Sequence, residues 1–267
     1  MKKSAKQINL QKKVIKILND RTVPIARYIF DDEEIQALQD YANTVAIKRL
    51  GFNDHGPVHM LKATYNALTM FDLLAVSGIK LNLQKEGLGD IDDSQIVVLI
   101  STLLHDIGMS VSRDQHEFMA ISLALPVIQR ILQQFYPDQI SKQVVIRSMI
   151  IEGILGHMAT HTIHSLEAGL VLIGDGCDME QGRARISLKL ADSAKRGDIH
   201  RYSSSAIKKV RIIKGELRPI RIDVEMQESV GFFQVEEVLY PKIQSSPVKK
   251  YIELTASVTG QNLKKYL

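Results

Sequence analysis

Apolar residues recur at helical spacing up to about residue 205, with polar residues between them. Spacings of three and four residues place apolar side chains on one face of a helix. Acidic residues at helix starts, and glycines such as Gly51 at helix ends, mark the boundaries. The pattern predicts helices over residues 5–18, 31–50, 58–77, 91–105, 114–135, 138–157 and 165–175, with a loop over 78–90.

The pattern changes near residue 206, where apolar and polar residues begin to alternate. Alternation is typical of strands with one buried face. It predicts strands near 209–213, 217–226 and 251–258, with a helix over 232–243. We therefore expect a mainly α protein, with a helical domain over residues 1–205 and a small α+β module of β-β-α-β order over 206–267. A strand edge left free in this module can pair with a second copy, so we consider a homodimer.

Composition narrows the class of protein. The net charge of +4 and pI near 9.0 suit an anionic ligand, but no basic run is interleaved with aromatic residues, so nucleic acid is not the expected partner. The single cysteine excludes an internal disulfide and favours a reducing compartment. The first ten residues lack the apolar stretch of a signal peptide, and no run approaches the ~20 apolar residues that span a bilayer. We expect a cytoplasmic protein without a membrane partner.

A histidine and an aspartate, His105 and Asp106, end the apolar run of the helix predicted over 91–105. Burying these groups without partners would cost on the order of a few kcal/mol. Neutral imidazole and carboxylate together suit a divalent metal ion. Adjacent helical residues point about 100° apart, so both reach one ion only at a helix end, which Ile107 and Gly108 supply. Candidate partners elsewhere in the chain are His55, His59, His116, His157 and Asp175.

A second apolar helix also ends in acidic residues beside glycines, at Asp175 and Asp178. Two arginines, Arg183 and Arg185, follow shortly afterwards. Carboxylates hold metal ions, and a guanidinium group can hold two phosphate oxygens at once. Asp178 can instead cap a helix. The segment therefore combines metal-binding and phosphate-binding residue types.

Three motifs in this order resemble the HD-domain metal-dependent phosphohydrolases. They are Asp54-His-Gly-Pro-Val-His59, Leu103-Leu-His-Asp-Ile-Gly108 and Gly174-Asp-Gly-Cys-Asp178, and the resemblance covers about residues 50–190. It implies a bundle of helices and a metal ion held by His59, His105, Asp106 and Asp175. The family usually has an alanine before the last aspartate, where this chain has a glycine. Asp192, which follows an alanine, is therefore an alternative to Asp175.

Some branches of that family add two histidines and hold a second ion. His116 and His157 stand in suitable places for this role, so the resemblance implies one or two divalent ions of Mn, Fe, Ni, Co, Zn or Mg. Asp106 can bridge two ions, because a carboxylate has two oxygens. The chain lacks the Gly-Tyr-Pro motif of the branch that cleaves cyclic dinucleotides.

The resemblance implies hydrolysis of a phosphomonoester or phosphodiester, nucleotide-like in the leading interpretation, by a water that metal activates. In this interpretation Asp106 accepts a proton, and His55 orients a ligand or contacts the substrate. We expect the substrate phosphate to meet Arg113, Arg183, Arg185 and Lys195. The alternative is a non-enzymatic metal-binding module that signals or acts as a scaffold through its C-terminal α+β piece.

Overall fold

The computed structural model describes residues 3–181, 199–260 and 263–267. Helices account for most of the part before residue 182, and their ends fall close to the predicted ones. In chain order they are α1 (Ala5–Ile17), α2 (Val23–Asp31), α3 (Glu33–Thr44), α4 (Pro57–Val76), α5 (Asn82–Glu86), α6 (Ile91–Leu104), α7 (His116–Phe135), α8 (Ile140–Gly156) and α9 (Leu166–Gly176).

Two short helices in the part before residue 182 were not predicted. Helix α2 ends at Asp31, where the predicted helix starts. The next residue, Asp32, caps α3, because its side chain accepts a hydrogen bond from the backbone N–H of Ile35. Helix α5 lies within the predicted loop. Its first backbone N–H groups, of Asn82 and Leu83, donate to the buried carboxylate of Glu167 on α9. A cap that comes from a residue so far along the chain leaves no local signal in the sequence.

The centre of the bundle is built from α4, α6 and α9, which pack against one another. Helix α6 is buried on nearly all sides, and its apolar residues from Ile96 to Leu104 are at most 1% exposed. Helix α9 approaches α4 closely at Gly174, where a Cβ atom would lie 2.8 Å from the Cβ of Ala67. This close packing fixes the relative positions of the helix ends that carry the candidate metal ligands.

The C-terminal part forms the predicted small module. After α10 (Ile199–Ala206), β1 (Ile207–Lys214) and β2 (Ile220–Met226) make an antiparallel hairpin. A helical connection that includes α11 (Tyr240–Ser245) leads to β3 (Ile252–Val258), which pairs parallel to β2, and the two-residue strand β4 (Lys264–Lys265) pairs with β3. The mainly α fold with a C-terminal α+β module is confirmed. Buried apolar residues of the bundle and of the module form one continuous hydrophobic core.

Helix α7 is, within the described ranges, the one helix long and apolar enough to cross a membrane on length and composition alone. No apolar run of about that length was predicted from the sequence, and α7 contains the charged residues Glu117 and Arg130. In the structure, Arg130 forms ion pairs with Asp32 and Glu34 at the start of α3. The helix packs against α8 and has a buried apolar face, as core helices of globular proteins do.

Candidate metal centre

The six predicted metal ligands meet at one place in the bundle, and each lies at a helix end. His59 is in the first turn of α4, His105 and Asp106 follow α6, His116 begins α7, His157 follows α8, and Asp175 is in the last turn of α9. All six are buried, and the most accessible, Asp175, is 7% exposed. Helix packing therefore gathers side chains that are far apart in the sequence.

The donor atoms form two groups that share Asp106. Its Oδ2 lies 3.1 Å from His59 Nε2 and 3.4 Å from His105 Nε2, and Asp175 Oδ1 lies 3.2 Å from His59 Nε2. The other oxygen of Asp106, Oδ1, lies 3.3 Å from His116 Nε2 and 3.5 Å from His157 Nε2. Ligands about 2.1 Å from one ion lie about 3.0–3.4 Å from each other, so both groups have the spacing of a metal site.

The turn after α6 lets two adjacent residues serve one centre. His105 keeps helical backbone angles, whereas Asp106 leaves the helix with φ −102° and ψ 0°. Gly108 then brings the turn against the start of α7, because a Cβ atom there would lie 1.9 Å from the carbonyl oxygen of His116. The sequence predicted a helix end at this glycine. The structure adds the reason that no side chain fits.

Three of the four histidines are oriented by the backbone in the same way. In each, Nδ1 lies 2.6–3.0 Å from the carbonyl oxygen three residues earlier, so Nδ1 carries the hydrogen and donates it. In the neutral imidazole Nε2 is then the acceptor that faces the centre, which is the state a metal ligand requires. The three pairs are His105 with Thr102, His116 with Arg113, and His157 with Ile154.

Ring nitrogens face each other across the centre. His116 Nε2 and His157 Nε2 are 3.0 Å apart, and His59 Nε2 and His105 Nε2 are 3.3 Å apart. Two lone pairs at these distances would repel one another, so each pair needs a proton or a metal ion between its nitrogens. Together with the two carboxylates, this donor set fits a divalent metal ion.

Asp178 orients the fourth histidine, His59, through a carboxylate. Asp178 Oδ2 lies 2.7 Å from His59 Nδ1, opposite the Nε2 that faces the centre. Sequence reasoning considered Asp178 as a metal-binding acid or a helix cap, and not as the partner of a histidine. The signal that would have found it is an acidic residue three positions after a candidate ligand, which places both residues at the end of the same helix.

The electrostatics of the centre favour a cation. Burial alone would raise the pKa of Asp106, but the surrounding histidines, His105 foremost with His55 and His116, outweigh burial and hold the pKa well below its usual range. Burial likewise opposes ionisation of Asp175, and Lys242 lowers its pKa well below the usual range. Burial lowers the pKa of His157 to about 4. Both carboxylates are therefore charged at neutral pH, and His157 is a neutral donor.

His105 titrates differently from His157. Burial disfavours its charged form, yet the carboxylates of Asp106 and Asp175 outweigh burial and raise the pKa of His105 to about 9. The difference between the two imidazoles follows from their neighbours. His105 lies between two carboxylates, whereas His157 also faces the imidazoles of His105 and His116.

A cavity of about 170 Å³ opens beside the centre. Asp106 and Asp175 lie in its wall, together with His55 and Arg113. The ring of His55 lies 5.7 Å from that of His59, and the guanidinium of Arg113 stacks over Phe52 at 5.5 Å. The structure thus places two of the predicted substrate-contacting residues beside the centre. Arg183, Arg185, Lys195 and the alternative ligand Asp192 lie outside the described residues.

Sequence reasoning missed Lys242 entirely. This lysine of α11 reaches from the C-terminal module into the centre, where its Nζ lies 2.5 Å from Asp175 Oδ2 and 2.8 Å from the carbonyl oxygen of His157. No local sequence pattern marks Lys242, because the residue belongs to a helix of the module and the resemblance ends near residue 190.

The helical fold and the buried histidines and aspartates fit an HD-type domain, and the centre can hold a divalent metal ion.

Comparisons with known proteins give one informative relative. No protein-family model matches the chain, and no solved structure matches it. The uncharacterised protein MJ1020 of Methanocaldococcus jannaschii is 34% identical over 238 residues, which cover 88% of this chain and 90% of that protein. The aligned region is long enough to include both the helical bundle and part of the C-terminal module. The chain therefore belongs to the same protein family as MJ1020.

Proposed function

We propose that this protein is an HD-type metal-dependent phosphohydrolase that cleaves a phosphomonoester or phosphodiester. One observation carries the proposal: Asp106 presents one oxygen to His59 and His105 and the other to His116 and His157. A carboxylate between two histidine groups is suited to bridging two divalent ions. Paired ions can clamp the attacking and leaving oxygens of an in-line displacement at phosphorus.

The metal ligands of the chain fall into two sets, one for each ion. His59, His105, Asp106 and Asp175 would hold one ion, and Asp106, His116 and His157 a second. A bound ion supplies Lewis acidity towards a phosphoryl oxygen and lowers the pKa of water towards about 7. Asp106 is ionised and buried, so it can accept a hydrogen bond from water and fix its direction.

The cavity wall supplies groups for the substrate. Arg113 can hold phosphate oxygens through its fixed pair of N–H donors. His55 lies next to the ring of His59 and can donate to a phosphate oxygen or to the departing group. We propose a small phosphoester, nucleotides first, as the partner rather than a nucleic acid, and we place the reaction in the cytoplasm, where the single thiol stays reduced.

The test is turnover by protein that has been stripped of metal and then reloaded. The panel contains p-nitrophenyl phosphate, bis(p-nitrophenyl) phosphate, nucleotides and cyclic nucleotides, each with Mn²⁺, Co²⁺, Ni²⁺, Zn²⁺ or Mg²⁺. We expect metal-dependent release of phosphate or nitrophenol in at least one well, and its loss in Asp106→Ala. Asp72→Ala, which removes an exposed aspartate of α4, is the matched control and should keep full activity.

Two outcomes of this experiment would contradict the proposal. Protein that binds metal at full stoichiometry but turns over no phosphoester would contradict the proposed enzyme. That result would favour the metal-binding scaffold, which acts through its C-terminal module. Retention of both metal and activity by Asp106→Ala would show that the centre is assigned to the wrong residues.

A further inference from the structure

We propose that Lys242 is a substrate-binding residue, and that the C-terminal module thereby completes the active site by binding a phosphoryl oxygen. The inference rests on the proposed function. Lys242 lies on α11, far along the chain from every metal ligand, yet it forms part of the wall of the cavity beside the centre. The other groups in that wall include Arg113 and His55, so three residues that can carry positive charge face one small space.

The hydrogen bonds of the ammonium group leave one donor for that space. Lys242 donates to Asp175 Oδ2 and to the carbonyl oxygen of His157. An ammonium group has three N–H donors arranged tetrahedrally. Among the described residues two of these donors have acceptors, both in the bundle, which leaves the third for a ligand in the cavity that Lys242 lines. An oxygen of a phosphate ester is the acceptor that a buried, charged donor would favour.

The packing of the module holds Lys242 in this position. Lys242 is 9% exposed, while Leu239 and Ile243 on either side of it are completely buried in the shared core. On α9, Gly176 leaves room for the lysine stem, because a Cβ atom there would lie 3.0 Å from Lys242 Cδ. The lysine is therefore held at the centre by apolar packing of the module, and not by its ion pair alone.

A purely structural ion pair is a weaker explanation. Removing an ammonium from water costs several kcal/mol, roughly, and a buried ion pair often returns no more than that cost. Stability alone would be served as well by apolar side chains at both positions of the pair. A donor that must meet an anionic substrate gives a reason for the charge. It also gives the module a role in the reaction, since the same cavity wall includes Gln234 and Val238 from the segment before α11.

The test compares equilibrium binding of inorganic phosphate by metal-loaded wild-type protein and Lys242→Met. Methionine keeps much of the stem and removes the charge and all three donors. Lys208→Met is the matched control, because Lys208 is also a lysine of the module and also pairs with a carboxylate, that of Glu225, but lies on β1. Titration calorimetry is carried out at constant ionic strength and at metal concentrations that saturate each variant, with metal content measured in parallel.

We expect Lys242→Met to bind phosphate about tenfold or more weakly at full metal occupancy, and Lys208→Met to bind it as the wild type does. With a substrate from the panel, KM should rise by a similar factor. Lys242→Arg, which keeps the charge, should recover part of the affinity. Unchanged phosphate affinity in fully loaded Lys242→Met would overturn the inference. A Lys242→Met protein that cannot be loaded at any metal concentration would also overturn it, because Lys242 would then serve to position Asp175.

The outcomes separate this inference from the proposed function. Phosphate binding that depends on Lys242, in a protein that turns over no phosphoester, would support the subsite and contradict the enzyme. Turnover with phosphate affinity independent of Lys242 would support the enzyme and contradict the subsite. The binding measurement needs no knowledge of the natural substrate.

Discussion

His59 Nδ1 lies 2.7 Å from Asp178 Oδ2, so a carboxylate just beyond the end of α9 orients the first histidine of the centre. The other three histidines rely on backbone carbonyl oxygens for the same purpose. A carboxylate partner fixes the ring and makes its opposite nitrogen a stronger donor to metal. The end of α9 and the start of α4 are thereby coupled through one hydrogen bond.

Replacing Asp178 by alanine should weaken metal binding at the His59 group. Loss of such an orienting partner typically costs 10–100-fold, roughly, in metal affinity. The group formed by His116 and His157 should be affected less, because its orientation does not depend on Asp178. Titration with Co²⁺, followed by its visible absorption, measures both affinities, and Asp72→Ala is the control. Equal affinity in Asp178→Ala and wild type would contradict the positioning role.

The shared aspartate predicts a specific pattern of metal stoichiometry. His59→Ala and His157→Ala should each lose one ion and keep the other, because each removes a ligand of a single group. Asp106→Ala should lose both, because each of its oxygens serves one group. Elemental analysis after dialysis against limiting metal distinguishes these cases. Loss of both ions in His157→Ala would argue that the two groups form one site.

Replacing Gly108 by alanine should disturb the packing of α7 and weaken metal binding. A methyl group at this position would lie 1.9 Å from the carbonyl oxygen of His116, so Gly108→Ala must push α7 away from the turn after α6. We expect a loss of about 3 kcal/mol in the free energy of unfolding, together with weaker metal binding. Thermal unfolding and metal titration measure the two effects.

Gly51→Ala provides the comparison for Gly108→Ala. Gly51 has a positive φ of 68°, and no heavy atom lies within 4 Å of the place that a methyl group would occupy, so alanine there costs only backbone strain, about 1 kcal/mol. The metal affinity of Gly51→Ala should match that of the wild type. A Gly108→Ala protein no less stable than Gly51→Ala would contradict the close approach at His116.

The ion pair of Arg21 with Asp90 should stabilise the folded protein to an extent that depends on pH. Its guanidinium binds both oxygens of Asp90 at 2.8 Å and also reaches the buried Asp93. Burial alone would raise the pKa of Asp90, but Arg21 outweighs it and the pKa lies below its ordinary value of 3.8. A carboxyl group with a lowered pKa in the folded state stabilises the protein above pH 3.8, and this stabilisation is lost as the pH falls through the folded pKa.

Arg21→Met should therefore lower the free energy of unfolding by about 1 kcal/mol at pH 7, since the pair is half exposed and screened by solvent. The difference from wild type should shrink as the pH falls below 3.8. Urea unfolding of metal-free protein across this range measures it, with Arg27→Met at an exposed position of α2 as the control. A difference that grows on acidification would have the wrong sign.

Local patterns along the chain are enough to predict the fold class and the residue types of the centre. Helical spacing up to residue 205 and alternation beyond it specify the bundle and the order of the module, because each reflects which face of an element is buried. His105 and Asp106 stand out because they end an apolar run, which makes their burial costly without partners. The order of His59, the His-Asp pair, His116, His157 and Asp175 carries the resemblance.

The way in which those residues share the centre depends on the packing of the helices. The two oxygens of Asp106 face different histidines because α4, α6, α7 and α8 pack with their ends together, and no spacing along the chain encodes those distances. Asp178 and Lys242 acquire their roles through contacts over 119 and 67 residues of sequence separation. Hydrophobic periodicity reports which face of a helix is buried, whereas the partner of a buried polar group depends on where the other helices end.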